Sequence, residues 1–155
     1  MNATDCMRGR TLLHWAVCGE DVPLLTDLLG AGWAANVQDY EGWTPVHLAT
    51  ASGRPELVRA LLAEASGRQA LGLASAETNG VRSGFTPLHF ATGVVECCNH
   101  AKEPYLPGRA ARDRAAWRGT VEAVLAHPEG RTAVAAARDD ASQTPESPHA
   151  ATQAR

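Results

Sequence analysis

The sequence predicts an all-α solenoid of stacked helix-turn-helix units joined by hairpin-like loops. Three observations carry this. A short phrase recurs as "GRTLLHWAVCG" from Gly9, "GWTPVHLATASG" from Gly42 and "GFTPLHFATG" from Gly84. Thr11 and Thr44 stand 33 residues apart and Thr44 and Thr86 stand 42 apart, a spacing typical of stacked repeats. The chain of 155 residues is 45% hydrophobic but only 5% aromatic, which favours close helix contacts over a core of bulky rings.

Each element of the unit has a local cause. Gly42 permits a tight turn, Thr44 can accept a backbone N–H bond as a helix cap, and Pro45 suits a first helical position that needs no N–H. A helix should therefore start at Pro45 and break at Gly53. Val46, Ala49 and Thr50 fall on one side of it, with small Ala49 allowing a neighbour to approach. Pro55 and Glu56 then open a second helix, whose Leu57, Val58, Leu61 and Leu62 supply apolar surface for two neighbours.

The stretch from Asp39 to Ser66, with its turn Gly, Thr-Pro-x-His cap, small helix residues and paired leucines, resembles the ankyrin-repeat family. Units are expected at about 6–38, 39–66 and 81–129, the last with an insertion near 96–116. A repeat domain over 1–141 then gives way to a degraded fourth unit and frayed tail at 142–155. Unit one has Leu12 where the family's pattern has Pro, and Trp33 where it has a small Ala. That ring either repacks the first interface or turns outward. The segments "GRQA" from Gly67 and "GRTA" from Gly130 look like equivalent enlarged linkers, each with an extra helical turn.

Several function classes lack a basis. The formal charge of −3 comes without a basic block, so nucleic acid is not an expected partner. No run of about 18 apolar residues exists, so no membrane span is expected either. With no signal-peptide pattern and no disulfide spacing among Cys6, Cys18, Cys97 and Cys98, the expected location is cytoplasmic or nuclear.

The repeated His14, His47 and His89 have no nucleophile or carboxylate placed beside them by the motif, and a capping role fits their repetition better than catalysis. Cys97, Cys98, His100 and His127 could offer soft ligands, but adjacent cysteines diverge and zinc sites favour a C-x2-C pair. Neither a catalytic residue, nor a metal, nor a cofactor is expected. Arg109, Arg112, Arg114 and Arg118, interrupted by Asp113, form a solvated mixed-charge face. Thr144-Pro145 and Ser147-Pro148 have the form of proline-directed phosphorylation sites.

The resemblance implies a non-catalytic module that binds a protein partner as an adaptor or stoichiometric regulator, with no small-molecule substrate. It places the contact residues at the turns and late in the first helices. These are Arg8 and Arg10 in unit one, Tyr40, Glu41, Trp43, Ala51 and Ser52 in unit two, and Arg82 and Phe85 in unit three. Trp43 is the foremost candidate if its ring stands on a finger tip, because Trp, Tyr and Arg dominate binding hot spots. The other reading lays Trp43 and Phe85 along the hairpin over the next unit. A monomer is expected unless the uncapped C-terminal end self-associates. Two alternatives are an incomplete piece of a longer array and, less favoured, a metal or enzymatic site around the unit-three insertion.

Overall fold

The computed structural model describes residues 2–75, 84–91 and 114–133, and in these it shows helical hairpins set side by side. Unit one contains α1 (Leu12–Cys18) and α2 (Val22–Gly30), and unit two contains α3 (Pro45–Ser52) and α4 (Pro55–Ala63). A short α5 (Ala65–Ala70) follows directly, then α6 (Pro87–Ala91) and α7 (Arg114–Leu125) of unit three. Residues 128–133 are also helical. The second helix of unit three thus begins inside the expected insertion. The rest of that insertion, with Cys97, Cys98 and His100, lies outside the described residues, as do Arg82 and 142–155.

The caps form where the sequence places them. Thr44 is extended (φ −97°, ψ 165°), its hydroxyl accepts the His47 N–H, and Pro45 opens α3. The helix ends at Gly53 in the left-handed region, at φ 69°. Asp21 caps α2 by accepting the Leu24 N–H at 2.9 Å.

Packing follows the same repeat. First helices stack in the order α1, α3, α6, and second helices in the order α2, α4, α7. The interior between them holds Leu13, Val17, Leu25, Val46, Leu48, Leu57, Val58, Leu61 and Leu62, each at most 2% exposed. Burying one such side chain contributes roughly 1.5–3 kcal/mol, so the array is stabilised mainly across its unit interfaces. Trp33 is half-buried and packs against this core, which is the first-interface reading of that residue.

Both "GR" segments become short helices folded back on the end of a second helix. A Cβ on Gly67 would lie 1.9 Å from the Leu61 carbonyl oxygen, and one on Gly130 would lie 2.1 Å from that of Val124. Only glycine permits such an approach. Beside them Arg68 donates to the Leu62 and Ala63 carbonyls at 3.0 and 2.8 Å, and Arg131 donates to the Leu125 carbonyl at 2.9 Å. These cations satisfy carbonyls that the helix ends leave without intrahelical partners.

Gly67→Ala is therefore expected to destabilise the protein by about 2–3 kcal/mol in urea unfolding, through displacement of α5 from α4. Gly72→Ala, where the nearest atom to a new Cβ is 3.8 Å away, serves as the comparison and should change stability by less than about 0.5 kcal/mol. Equal losses at both positions would remove the close contact as the cause.

Candidate functional site

The fingers between units are built by backbone pairing around one acidic or hydroxyl residue. In unit two the Asp39 N–H donates to the Trp43 carbonyl at 2.8 Å, and the Asp39 carboxylate accepts the Glu41 and Trp43 N–H groups at 3.0 and 2.8 Å. Asp5 holds the first finger in the same way, accepting the Met7 and Arg8 amides, and those amides with the Trp15 indole keep its carboxyl below the ordinary range. Ser75 takes this place before unit three, paired with Phe85. The finger glycines Gly9, Gly42 and Gly84 all have positive φ (69°, 75° and 91°), a conformation that disfavours any side chain.

His14 and His47 each tie their own cap to the next finger. Thr11 donates its N–H to His14 Nδ1 at 3.0 Å, and Thr44 donates to His47 Nδ1 at 3.1 Å. Nδ1 is thus the acceptor, which puts the proton on Nε2. From there His14 reaches the Trp43 carbonyl at 3.0 Å and His47 reaches the Phe85 carbonyl at 3.1 Å. Thr86 N–H donates to His89 Nδ1 at 3.1 Å, repeating the cap in unit three. Burial pushes the His47 pKa down to about 4 and moves that of His14 the same way, so both rings stay neutral hydrogen-bonding groups.

The residues at the second finger position face inward. Trp43 is only 8% exposed, with its ring centroid 4.8 Å from that of Phe90 and 6.4 Å from that of His47. Of the two readings of Trp43, the ring laid over the next unit is the one the structure has, and the outward ring on a finger tip is not: an indole laid on the next unit buries far more apolar area than one pointed into water. Arg10, at the same place in unit one, is 5% exposed and paired with Asp39 at 3.3 Å. A guanidinium desolvated with its carboxylate is not a surface for a partner. Phe85 is half-buried and leans on Phe90 and His89.

The remaining described candidates stay accessible. Tyr40 is 64% exposed, its ring lies over Gly9, and its N–H bonds the Arg8 carbonyl of the preceding finger at 2.9 Å. Arg8, Glu41, Ala51 and Ser52 are half-buried, while Arg82 lies outside the described residues. Sequence reasoning missed Met7, which is 85% exposed beside Arg8. The signal was available in the first finger, which runs from Asp5 to Gly9 and is one residue longer than Asp39 to Gly42. Among the described residues no group of three or more His, Cys, Asp or Glu is placed to hold a metal ion. None of the described helices is long and apolar enough to cross a membrane.

A family model described as ankyrin repeats in three copies matches residues 13–101, more than half of the chain. The chain belongs to the ankyrin-repeat family. Ankyrin repeats are a general protein-interaction module. The matched relatives include protein phosphatase 1 regulatory subunit 12A of Mus musculus, 41% identical over 54 residues, which are 35% of this chain and 5% of that protein. The RelA-associated inhibitor of Mus musculus is 39% identical over 54 residues, 35% of this chain and 7% of that protein. The ADP-ribosylation factor GTPase-activating protein AGD2 of Arabidopsis thaliana is 42% identical over 60 residues, 39% of this chain and 8% of that protein. The chain thus spans less than a tenth of the length of these relatives.

Two outcomes follow from the ankyrin fingers. As pH falls, the unfolded chain takes up a proton near 6.5 while folded His47 waits until about 4, so the stability His47 lends above pH 6.5 is lost across that window. From this residue alone the loss should reach about 2 kcal/mol by about pH 5, measured by urea unfolding, and His14 acts in the same direction. Asp5 adds no slope there, since its stabilisation is lost as pH falls below the ordinary carboxyl value of 3.8. A flat stability between pH 7.5 and 5 would contradict the buried neutral tautomer. Trp43→Ala should cost about 3–5 kcal/mol and lower the thermal midpoint sharply, whereas an unchanged midpoint would return the ring to the surface.

Proposed function

We propose that this ankyrin domain is a non-catalytic binding module, an adaptor or stoichiometric regulator, that engages a partner protein through its finger tips. The observation that carries the reading is the pair of exposed apolar side chains, Met7 and Tyr40, on neighbouring fingers joined by the Tyr40–Arg8 backbone bond. A finger whose backbone is already tied by hydrogen bonds loses little further backbone entropy on binding, which favours its use as an anchor. Arg8 and Glu41 flank these two, and Ala51 and Ser52 at the end of α3 extend the surface toward the first helices. Small residues there leave room for a partner segment to lie against the helix.

The names of two relatives, a phosphatase regulatory subunit and an inhibitor, support a regulatory rather than a catalytic reading. The absence of a long apolar helix among the described residues accords with a cytoplasmic or nuclear setting. Half-buried Cys18 fits this setting too, since burial raises its thiol pKa and keeps it unreactive.

The test is capture from cell extract with the wild type and a Met7→Ser, Tyr40→Ala double variant. Both positions lie outside the core, so the unfolding free energy should stay within about 1 kcal/mol of wild type. Specific partners should fall by at least about tenfold, the scale of losing one hot-spot side chain. Undiminished capture by the double variant would move the binding surface elsewhere.

A further inference from the structure

The first two fingers are joined at three consecutive residues. The Arg8 carbonyl accepts the Tyr40 N–H at 2.9 Å, Gly9 lies against the Tyr40 ring, and the Arg10 Nε donates to the Asp39 carboxylate at 3.3 Å. Met7 directly precedes these residues, and its own N–H is held by the Asp5 carboxylate at 3.0 Å. The backbones that carry Met7 and Tyr40 are therefore fixed to one another, and Gly9 decides how the Tyr40 ring lies between them.

A Cβ built on Gly9 would stand 2.6 Å from Tyr40 Cε1, 2.7 Å from Cδ1 and 3.2 Å from Cζ. An approach in the plane of the ring would leave the third of these successive atoms much farther off, so the ring turns a face to the glycine. Tyr40 is 64% exposed, and its opposite face is open to solvent. Any side chain at residue 9 would occupy the seat of the ring, and the left-handed backbone there, at φ 69°, disfavours one as well. Gly84 separates these two demands. It shares the left-handed backbone, at φ 91°, but a Cβ on it would meet nothing within 4 Å.

We infer, resting on the finger-tip binding proposed above, that Gly9 is the positioning residue of that surface and that Tyr40 meets the partner with the open face of its ring. A ring face is recognised by stacking and by cations, not through the phenolic hydroxyl, so the partner presents a planar side chain that lies flat on it. A ring already seated on Gly9 has fewer rotamers to lose when the partner arrives.

The seat is tested first by proton NMR of the full chain. The Gly9 Hα that stands where a Cβ would be should be shifted upfield by the ring and return to the ordinary range in Tyr40→Leu; an unshifted proton in the wild type overturns the seat. The probe for binding is the set of proteins that the immobilised wild type retains from cell extract. Gly9→Ala should retain at least about fivefold less of them than Gly84→Ala, although both variants place alanine in a left-handed backbone. Tyr40→Phe should retain as much as wild type, and Tyr40→Leu at least about fivefold less. Equal retention by the two glycine variants overturns the positioning role of Gly9, and a loss with Tyr40→Phe overturns the face contact. Should Gly9→Ala fail to fold, the shifted proton and the two Tyr40 variants still decide. Undiminished retention by the Met7→Ser, Tyr40→Ala variant is a separate result, which removes finger-tip binding itself.

Discussion

The hydrogen bond from His14 and from His47 to the next finger is the constraint on which the described units depend. It requires a neutral ring with its proton on Nε2, and the Thr N–H at Nδ1 enforces that tautomer. One side chain therefore fixes a helix cap, orients itself, and sets the position of a neighbouring backbone carbonyl. Because the accepting carbonyl also closes its own finger, disturbance of one unit reaches the turn of the next. Local order and unit-to-unit stacking are the same event here.

The position after the finger glycine shows how one scaffold place takes different chemistry. In unit one Arg10 crosses to Asp39, a charge pair removed from water, and in unit two Trp43 crosses to Phe90. Both span a unit boundary, and both withdraw from the surface. The large apolar side chains left exposed on the fingers are consequently those of the tip residues before the glycine, Met7 and Tyr40.

Much of this was legible in the sequence because each signal had a local mechanism. The Thr-Pro-x-His phrase carries its cap within four residues, and α3 begins at the expected Pro45. Paired leucines at helical spacing marked α4 and its burial. The direction of the Trp43 ring was not legible, since its principal ring partner, Phe90, is 47 residues away and only tertiary packing brings them together. Helix α5 contains a glycine and is only six residues long, so propensity argues against it as an isolated element. It is held by the Gly67 contact and the Arg68 bonds, which involve the preceding helix rather than its own sequence.

Those arginine bonds also give the molecule a polarity of recognition. The carboxyl end of a helix carries partial negative charge that ordinarily attracts cations from outside. At the ends of α4 and α7 that charge is already answered from within, by Arg68 and Arg131. These two helix ends therefore offer a visiting lysine or arginine little.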